Sequence, residues 1–149
     1  MIQLVTNDNL YQAAVIHSAA WKQSHSSFCT PDFVAIHTPE HQMGYLNSVL
    51  EKGAKLYMLV VSEKPVGIVS VLGGVIENLY VLPEEQGKGY GTQLLQFAVE
   101  SCEGHAKLWV LNNNLGARRL YERIGFAATG EVIRLSETLA EIEMRLENN

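Results

Sequence analysis

Two hydrophobic periods alternate along the chain, and together they predict a mixed α/β fold. Runs rich in β-branched and aliphatic residues, bounded by turn residues, predict seven strands, at 2–6, 56–62, 66–72, 75–82, 107–111, 126–133 and 138–146. Apolar residues spaced by three and four predict four helices, which begin near Asn7 or Asp8, near Pro39, at Gly91 and after Asn114. Residues 22–38 follow neither period because serine, threonine and proline interrupt them.

The order of these elements predicts the arrangement of the sheet. The strand at 75–82, the helix that begins at Gly91 and the strand at 107–111 form a strand–helix–strand unit, which joins parallel strands by a crossover. The strands at 56–62 and 66–72 flank a short turn and predict an antiparallel hairpin. The fold class is therefore α/β, with one mixed sheet and helices packed on its faces.

Composition narrows the classes of function. The 149 residues suffice for one domain with a buried core, and we expect a single domain over 1–149. The formal net charge of −5 argues against nucleic-acid binding, which requires a basic surface. The chain lacks a membrane-spanning apolar run and the pattern of a signal peptide. We therefore expect no membrane association. Cys29 and Cys102 lack the spacing of a metal site, so we expect no metal, and two cysteines are most simply explained by a reduced, cytoplasmic compartment.

Three glycines at alternate positions mark the candidate for ligand binding. Gly87, Gly89 and Gly91 follow the strand that Pro83 ends, and they open the next helix. Glycine lets successive backbone N–H groups turn toward one point, where they join the free N–H groups of the helix N-terminus. This arrangement favours an anion, and we expect it to bind a diphosphate.

Three nucleotide-binding motifs compete for this loop. The dinucleotide fingerprint G-x-G-x-x-G requires glycine where the chain has Thr92, and a Walker loop requires serine or threonine after Lys88, where the chain has Gly89. The remaining pattern is Gln86-x-x-Gly89-x-Gly91. It resembles the acetyl-CoA-binding signature of the GCN5-related N-acetyltransferase (GNAT) superfamily.

A second segment is similar to the same superfamily, namely Leu108-x-Val110-Leu111-x-x-Asn114-x-x-Ala117-x-x-Leu120-Tyr121. In the family, an asparagine in this segment contacts the cofactor and a tyrosine lies beside its sulfur. Asn114 and Tyr121 occupy these positions. From the residues alone, Asn114 also fits a helix N-cap, and Tyr121 also fits a core aromatic at helical spacing with Ala117.

The resemblance implies a sheet that splays between the strands at 75–82 and 107–111. It also implies transfer of an acetyl group from acetyl-CoA to a primary amine of a small molecule or peptide, by direct attack in a ternary complex. A non-catalytic acyl-CoA-binding module on the same fold is the alternative, which Tyr121 argues against because binding alone does not need its hydroxyl. A more remote alternative is a different α/β protein that binds ATP or NAD.

The resemblance also assigns cofactor contacts. The backbone of Leu79, Tyr80 and Val81 would pair with pantetheine, and the amide near Leu79 would polarise the thioester carbonyl. The remaining predicted contacts come from the glycine loop and the following helices: Gln86, Gly87, Lys88, Gly89, Tyr90, Gly91, Thr92, Asn114 and Ala117. Arg118 and Arg119 fit either phosphate contacts or an exposed helix face.

The chemistry requires a base for the amine and an acid for the leaving thiol. We predict Tyr121 as the acid and Glu77 as the base, because strand alternation places Glu77 on the face of Leu79 and Val81. Glu77 also fits an ordinary exposed carboxylate. His25, His37 and His41 are alternative bases if their segment folds over the cleft.

Aromatic residues in and after the first helix suggest the acceptor site. We expect it to be formed by Trp21, His25, Phe28 and Phe33, with Trp109 on the far side. The same residues also fit the core. The sequence leaves the identity of the amine open, and it leaves open whether the chain forms a homodimer.

Overall fold

A seven-stranded mixed sheet forms the centre of the computed structural model, which describes residues 1–147. The strands in chain order are β1 (Ile2–Leu4), β2 (Lys55–Val61), β3 (Lys64–Leu72), β4 (Val75–Val81), β5 (Lys107–Leu111), β6 (Phe126–Arg134) and β7 (Ala140–Leu146). They lie in the order β1-β2-β3-β4-β5-β7-β6. Only β4 and β5 are parallel; the other neighbours are antiparallel. The predicted α/β class and mixed sheet are confirmed.

Five helices connect these strands: α1 (Leu10–His25), α2 (Pro31–Ala35), α3 (Pro39–Glu51), α4 (Tyr90–Ser101) and α5 (Leu115–Ile124). A 3₁₀ turn at Pro83–Glu85 precedes the glycine loop. In the part of the chain that the structure describes, no helix combines the length and the apolar character needed to cross a membrane.

The first helix and the segment after it differ from the prediction. Helix α1 begins after Asn9, not after Asn7 or Asp8, because the Asn9 side chain accepts a hydrogen bond from the Thr6 N–H at 2.7 Å and fixes the preceding turn. Helix α2 was not predicted. Its five residues are too few for a period, and Thr30 caps it by accepting from the Phe33 N–H at 3.3 Å.

Apolar side chains form one cluster on each face of the sheet. Helices α4 and α5 cover the first cluster, which includes Val69, Leu94 and Leu95. Helices α1 and α3 cover the second, which includes Leu46 and Ile68. Alternation along the strands therefore assigns each residue of the sheet to one helical layer.

Strands β4 and β5 pair only at their beginnings, through Val75 with Lys107 and Ile76 with Leu108. Beyond these pairs the two strands diverge and leave a gap in the sheet. A bulge in β4 starts at the same point, where Asn78 and Leu79 lie opposite Val69 of β3. The splay that the family resemblance implied is thus present.

Asn78 adopts the left-handed conformation, with φ of 56°, which asparagine tolerates better than most residues. Its side chain donates to the Ser70 Oγ at 3.0 Å and accepts from the Tyr45 hydroxyl at 3.0 Å. The Ser70 hydroxyl in turn donates to the carbonyl of Glu77 at 3.0 Å. Side chains from β3 and α3 therefore hold the bulge in place.

The bulge overturns the predicted orientation of Glu77. Glu77 pairs with Ser70, which lies two residues after Ile68 and so faces the layer of α1 and α3. Leu79 packs in the opposite cluster, beneath α4. The prediction that these two residues share a face is wrong, because the extra residue in the bulge reverses the alternation. The Glu77 side chain is also exposed rather than partly desolvated.

Candidate active site

The gap between β4 and β5 opens into a cavity of about 740 Å³. Five parts of the chain line it: the end of α1, the second half of β4, the glycine loop, β5 with the start of α5, and the region from Leu135 to Glu141. The cavity thus lies where the sheet lacks pairing and where a helix N-terminus begins. Open α/β sheets typically bind ligands in such a crevice beyond the strand ends.

The glycine loop presents backbone amides to this cavity. Gly87 and Gly89 have φ of 80° and 87°, and a Cβ built at either would meet no atom within 4 Å. Helix α4 follows at Tyr90, and no side chain caps its N-terminus. The amides and the positive end of the helix dipole are therefore available to an anionic group. The open space beside the glycines fits a diphosphate.

Most predicted cofactor residues line the cavity: Leu79, Tyr80, Val81, Gln86, Gly87, Gly89, Tyr90, Gly91, Asn114 and Ala117. Lys88 and Thr92 are not among the lining residues. Lys88 instead forms an ion pair with Glu85 at 2.9 Å. In the described residues, the loop amides and not a lysine therefore face the cavity at this end.

The Gln86 side chain links the glycine loop to α1 and β4 by hydrogen bonds. Its side-chain nitrogen donates to the Gln23 Oε1 at 2.7 Å and to the carbonyl of Val81 at 3.1 Å. This links α1, β4 and the loop. Gln86 therefore shapes the loop through protein contacts, a role that the motif match alone did not indicate.

Backbone groups of Leu79 face the gap. The Leu82 N–H donates to the carbonyl of Val66 at 2.9 Å across to β3, and successive strand residues alternate in direction. Val81 and Leu79 therefore direct their backbone groups toward β5, which has already diverged. The Val81 carbonyl already accepts a hydrogen bond from the Gln86 side chain. The N–H and carbonyl of Leu79 are therefore the backbone groups that a ligand can bind.

Tyr121 lies in the cavity wall on α5 and is largely buried, with 8% of its surface exposed. Burial raises the pKa of its hydroxyl to about 12. Within residues 1–147 the structure gives this hydroxyl no hydrogen-bond partner. It is therefore a protonated donor that a ligand can use.

Asn114 occupies both positions that the sequence left open. It lines the cavity, and it also accepts from the Ala117 N–H at 3.2 Å as the N-cap of α5.

His25 is the one of the three candidate histidines that lines the cavity among the described residues. Its Nδ1 lies 2.9 Å from the carbonyl of Trp21, which can only accept, and 2.8 Å from the hydroxyl of Ser24, which itself donates to that carbonyl at 3.1 Å. The proton therefore resides on Nδ1, and Nε2 keeps its lone pair. Burial lowers the pKa of His25; the hydrogen bond to the Trp21 carbonyl opposes this effect and nearby His37 adds to it, and because the net shift is downward the ring is neutral at pH 7.

The aromatic residues predicted for the acceptor pack largely behind His25. Trp21 stacks between His25 at 4.0 Å and His37 at 3.6 Å, measured between ring centroids. Trp21, Phe28 and Phe33 do not line the cavity in the part of the chain that is described, whereas Trp109 does. The stack fixes the ring of His25 from one side.

The polar residues of the cavity that were not predicted include Gln23, Glu85, Asn78 and Glu141. Asn78 gave no signal in the sequence because its bulge depends on distant contacts. Glu141 belongs to the polar face of the last strand, which alternation alone assigns to solvent. Within the described residues, no group of three or more His, Cys, Asp or Glu side chains could hold a metal ion.

His17 lies behind the bulge and is 2% exposed. Its Nδ1 lies 2.6 Å from the side-chain nitrogen of Gln42, and its Nε2 has no hydrogen-bond partner in the described residues. Burial lowers the pKa of His17 to about 4; the nearby Asn78 side chain opposes this effect, and repulsion from His37 and His25 adds to it. His17 is therefore a buried neutral histidine between α1 and α3.

Comparison with known proteins identifies the family. The family model described as acetyltransferase (GNAT) family matches residues 18–126. This chain belongs to the GNAT family. An uncharacterized N-acetyltransferase of Bacillus subtilis, YobR, is 30% identical over 124 residues, which cover 74% of this chain and 50% of the relative. The chain thus spans about half the length of this curated relative.

Solved structures of other acetyltransferases share the fold. The PaiA N-acetyltransferase of Thermoplasma acidophilum, solved in complex with coenzyme A, has a TM-score of 0.72, 15% identity and coverage of 96% of both chains. YncA of Salmonella typhimurium, a putative acetyltransferase solved with acetyl-CoA, has a TM-score of 0.70 and 17% identity, and the match covers 98% of this chain and 92% of that one. At these identities the similarity establishes the GNAT fold alone.

His17 should make the stability of this GNAT protein depend on pH. Its pKa is about 4 when folded and about 6.5 when unfolded. The unfolded chain therefore binds more protons between these values, and stability falls as pH is lowered from 6.5 to 4. In His17→Gln, we expect the free energy of unfolding to decrease by about 3 kcal/mol less than in the wild type between pH 6.5 and pH 4. Urea unfolding at pH 7, 5.5 and 4 measures it.

His105→Gln is the matched control, because His105 is an exposed histidine that contacts the carbonyl of Leu146. This variant should reproduce the pH dependence of the wild type. An unchanged pH dependence in His17→Gln would show that His17 is not held neutral in the folded protein.

Proposed function

We propose that this chain is an acetyl-CoA-dependent N-acetyltransferase that acetylates a primary amine by direct attack in a ternary complex. The observation that carries the proposal is the unpaired stretch of β4, which leads to the uncapped N-terminus of α4. An extended arm and a diphosphate fit these two features in sequence. The relatives solved with coenzyme A and acetyl-CoA support this assignment.

Acetyl-CoA supplies the activated acetyl group as a thioester. The amides of 87–91 would hold its diphosphate, and the free backbone groups of Leu79 would pair with the pantetheine arm. The same Leu79 N–H would donate to the thioester carbonyl oxygen as negative charge develops there. Asn114 would contact the arm from the opposite side of the gap.

His25 is the base that fits this proposal. An alkylammonium has a pKa of ~10.4, so fewer than about one amine in a thousand is free at neutral pH. The unprotonated Nε2 of His25 would take the proton as the nitrogen lone pair attacks the thioester carbon. Glu77, our choice from the sequence, does not line the cavity among the residues described, although it faces the same helical layer as α1, which carries His25.

Tyr121 would act on the leaving sulfur. Since burial raises the pKa of Tyr121 to about 12, and a thiol has a pKa of ~8.5, complete proton transfer to the thiolate is unfavourable. We therefore assign Tyr121 a hydrogen bond that stabilises the sulfur as the carbon–sulfur bond breaks. Solvent then protonates the released thiolate.

Ligand-dependent thermal stability tests the donor. Acetyl-CoA and CoA should raise the melting temperature, whereas ATP and NAD should not, since a ligand at 100 times its Kd adds about 2.7 kcal/mol. For a chain of this size that is a shift of about 5–10 °C. Gly89→Val should lose the shift, because a β-branched residue resists φ of 87°.

Gly44→Val is the control for this experiment, since Gly44 is exposed on α3 and a Cβ there meets no atom within 4 Å. It should keep the CoA-dependent shift. Stabilisation by ATP or NAD without stabilisation by CoA would refute the proposal. Binding of acetyl-CoA without thiol release across a broad amine panel would favour the acyl-CoA-binding module.

Tyr121→Phe should lower kcat by about 10²-fold and leave the CoA-dependent thermal shift within 1 °C of the wild type. The substitution removes only the hydroxyl, while the ring keeps its contacts in the core. Release of free thiol measures turnover. Tyr57→Phe is the control, because Tyr57 on β2 packs edge-on against Phe97, away from the cavity. Equal turnover in all three proteins would remove Tyr121 from the mechanism.

His25→Gln should lower kcat/KM by about 10²-fold and remove the acidic limb of its pH profile. Because burial lowers the pKa of His25, the limb of the wild type should lie below pH 6.5. His41→Gln is the control, since its ring is exposed and contacts the side-chain oxygen of Gln42 at 2.8 Å. A large loss in Glu77→Gln together with normal activity in His25→Gln would instead support the base predicted from sequence.

A further inference from the structure

We propose that Glu141 binds a second positive charge on the acceptor, one carried in addition to the amine that is acetylated. The acceptor class is then an amine with a further ammonium or guanidinium group. This inference rests on the proposed acetyl transfer, and it names the substrate class for the same cavity.

The position of Glu141 follows from the strand order. Glu141 on β7 lies between Leu111 of β5 and Ile133 of β6. The alternate residues Val110 and Met144 pack beneath α4 and α5, so Glu141 projects from the opposite face of the sheet. There it lines the cavity beyond the divergence of β4 and β5.

The cavity carries one carboxylate without a charged partner. Of its two acidic lining residues, Glu85 pairs with Lys64 and Lys88, each at 2.9 Å. Glu141 forms no ion pair or side-chain hydrogen bond with any residue in 1–147. No lysine or arginine lines the cavity among these residues. The unpaired charge that lines the cavity in the described residues is therefore the negative charge of Glu141.

The neighbouring Glu143 provides an internal comparison. It lies on the same face of the same strand, and it accepts from the Thr129 hydroxyl at 2.8 Å and lies 3.8 Å from the Lys107 Nζ. Glu143 therefore has partners from its own chain. Glu141 lies two residues before Glu143 and lines the cavity, and it has no such partner in the described residues, which leaves its carboxylate for a ligand.

The surroundings of Glu141 are largely apolar. Its neighbours Leu111 and Ile133 are aliphatic, and Leu135 lines the cavity beside it. Burial is the main cause of the raised pKa of Tyr80, and the charge of Glu141 adds a smaller effect after those of Tyr45 and Tyr121, so the carboxylate acts across the gap toward β4. Glu141 is partly buried, and a carboxylate beside apolar neighbours is stabilised by a cationic partner.

The second charge, not the reacting amine, is the group that Glu141 suits. A carboxylate beside the reacting ammonium would raise the pKa of that amine and oppose its deprotonation. His25 serves that amine from α1 as a neutral base. Glu141 approaches the cavity from β7, on the other side of the gap. The two groups can therefore act on different nitrogens of one acceptor.

Matched acceptor series test this inference. We would measure kcat/KM with acetyl-CoA for linear α,ω-diamines of three to six carbons and for monoamines of the same lengths. The best diamine should exceed its matching monoamine by at least about tenfold. Glu141→Gln should lower that diamine value by about tenfold, mainly through KM, and should leave the monoamine within about twofold. Glu143→Gln is the control, because Glu143 is the neighbouring glutamate on the same face, and it should leave the ratio of diamine to monoamine kcat/KM unchanged.

The thermal shift with acetyl-CoA separates this inference from the proposed function. If acetyl-CoA does not stabilise the wild type, the proposed function fails and this inference fails with it. If acetyl-CoA stabilises both the wild type and Glu141→Gln, the donor site stands. In that case, failure of every diamine to exceed its monoamine, or an equal loss for both series in Glu141→Gln, would overturn the role of Glu141 alone.

Discussion

The loss of pairing between β4 and β5 after Ile76 and Leu108 is the constraint on which the site depends. It leaves backbone groups of β4 without a strand partner, which a folded protein tolerates only where water or a ligand can satisfy them. The bulge at Asn78 begins where this pairing ends. A left-handed residue costs about 1–2 kcal/mol, less for asparagine, and the two hydrogen bonds of the Asn78 side chain offset that strain.

The contacts that hold the bulge also bear on the position of His25, the proposed base. Tyr45 and Gln42 both lie on α3, and they reach Asn78 on β4 and His17 on α1 respectively. The buried polar groups between α1 and α3 therefore set the distance of α1 from the gap. His25 lies two turns after His17 on the same helix, so the same contacts place its imidazole at the cavity.

Local patterns in the sequence were enough for most of the fold, and long-range contacts account for what they missed. The strand at 107–111 and the helix that ends at Gly125 were predicted because period and glycine signal agree within a short window. The orientation of Glu77 was not, since it depends on Tyr45, which is 33 residues from Asn78. Glu141 was missed because only the insertion of β7 between β5 and β6 turns its polar face toward the gap.

Two parts of the cavity lining carry charges of opposite sign: the backbone amides of the glycine loop are partly positive, and the carboxylate of Glu141 is negative. At one end, backbone amides precede α4, and the nearby Lys64 and Lys88 are already paired with Glu85. At the other end, Glu141 would repel a phosphate and attract a cation. An anionic donor and a cationic acceptor would therefore enter in one relative orientation. His25, which also lines the cavity, is neutral and would then remove a proton without adding a positive charge to the cavity beforehand.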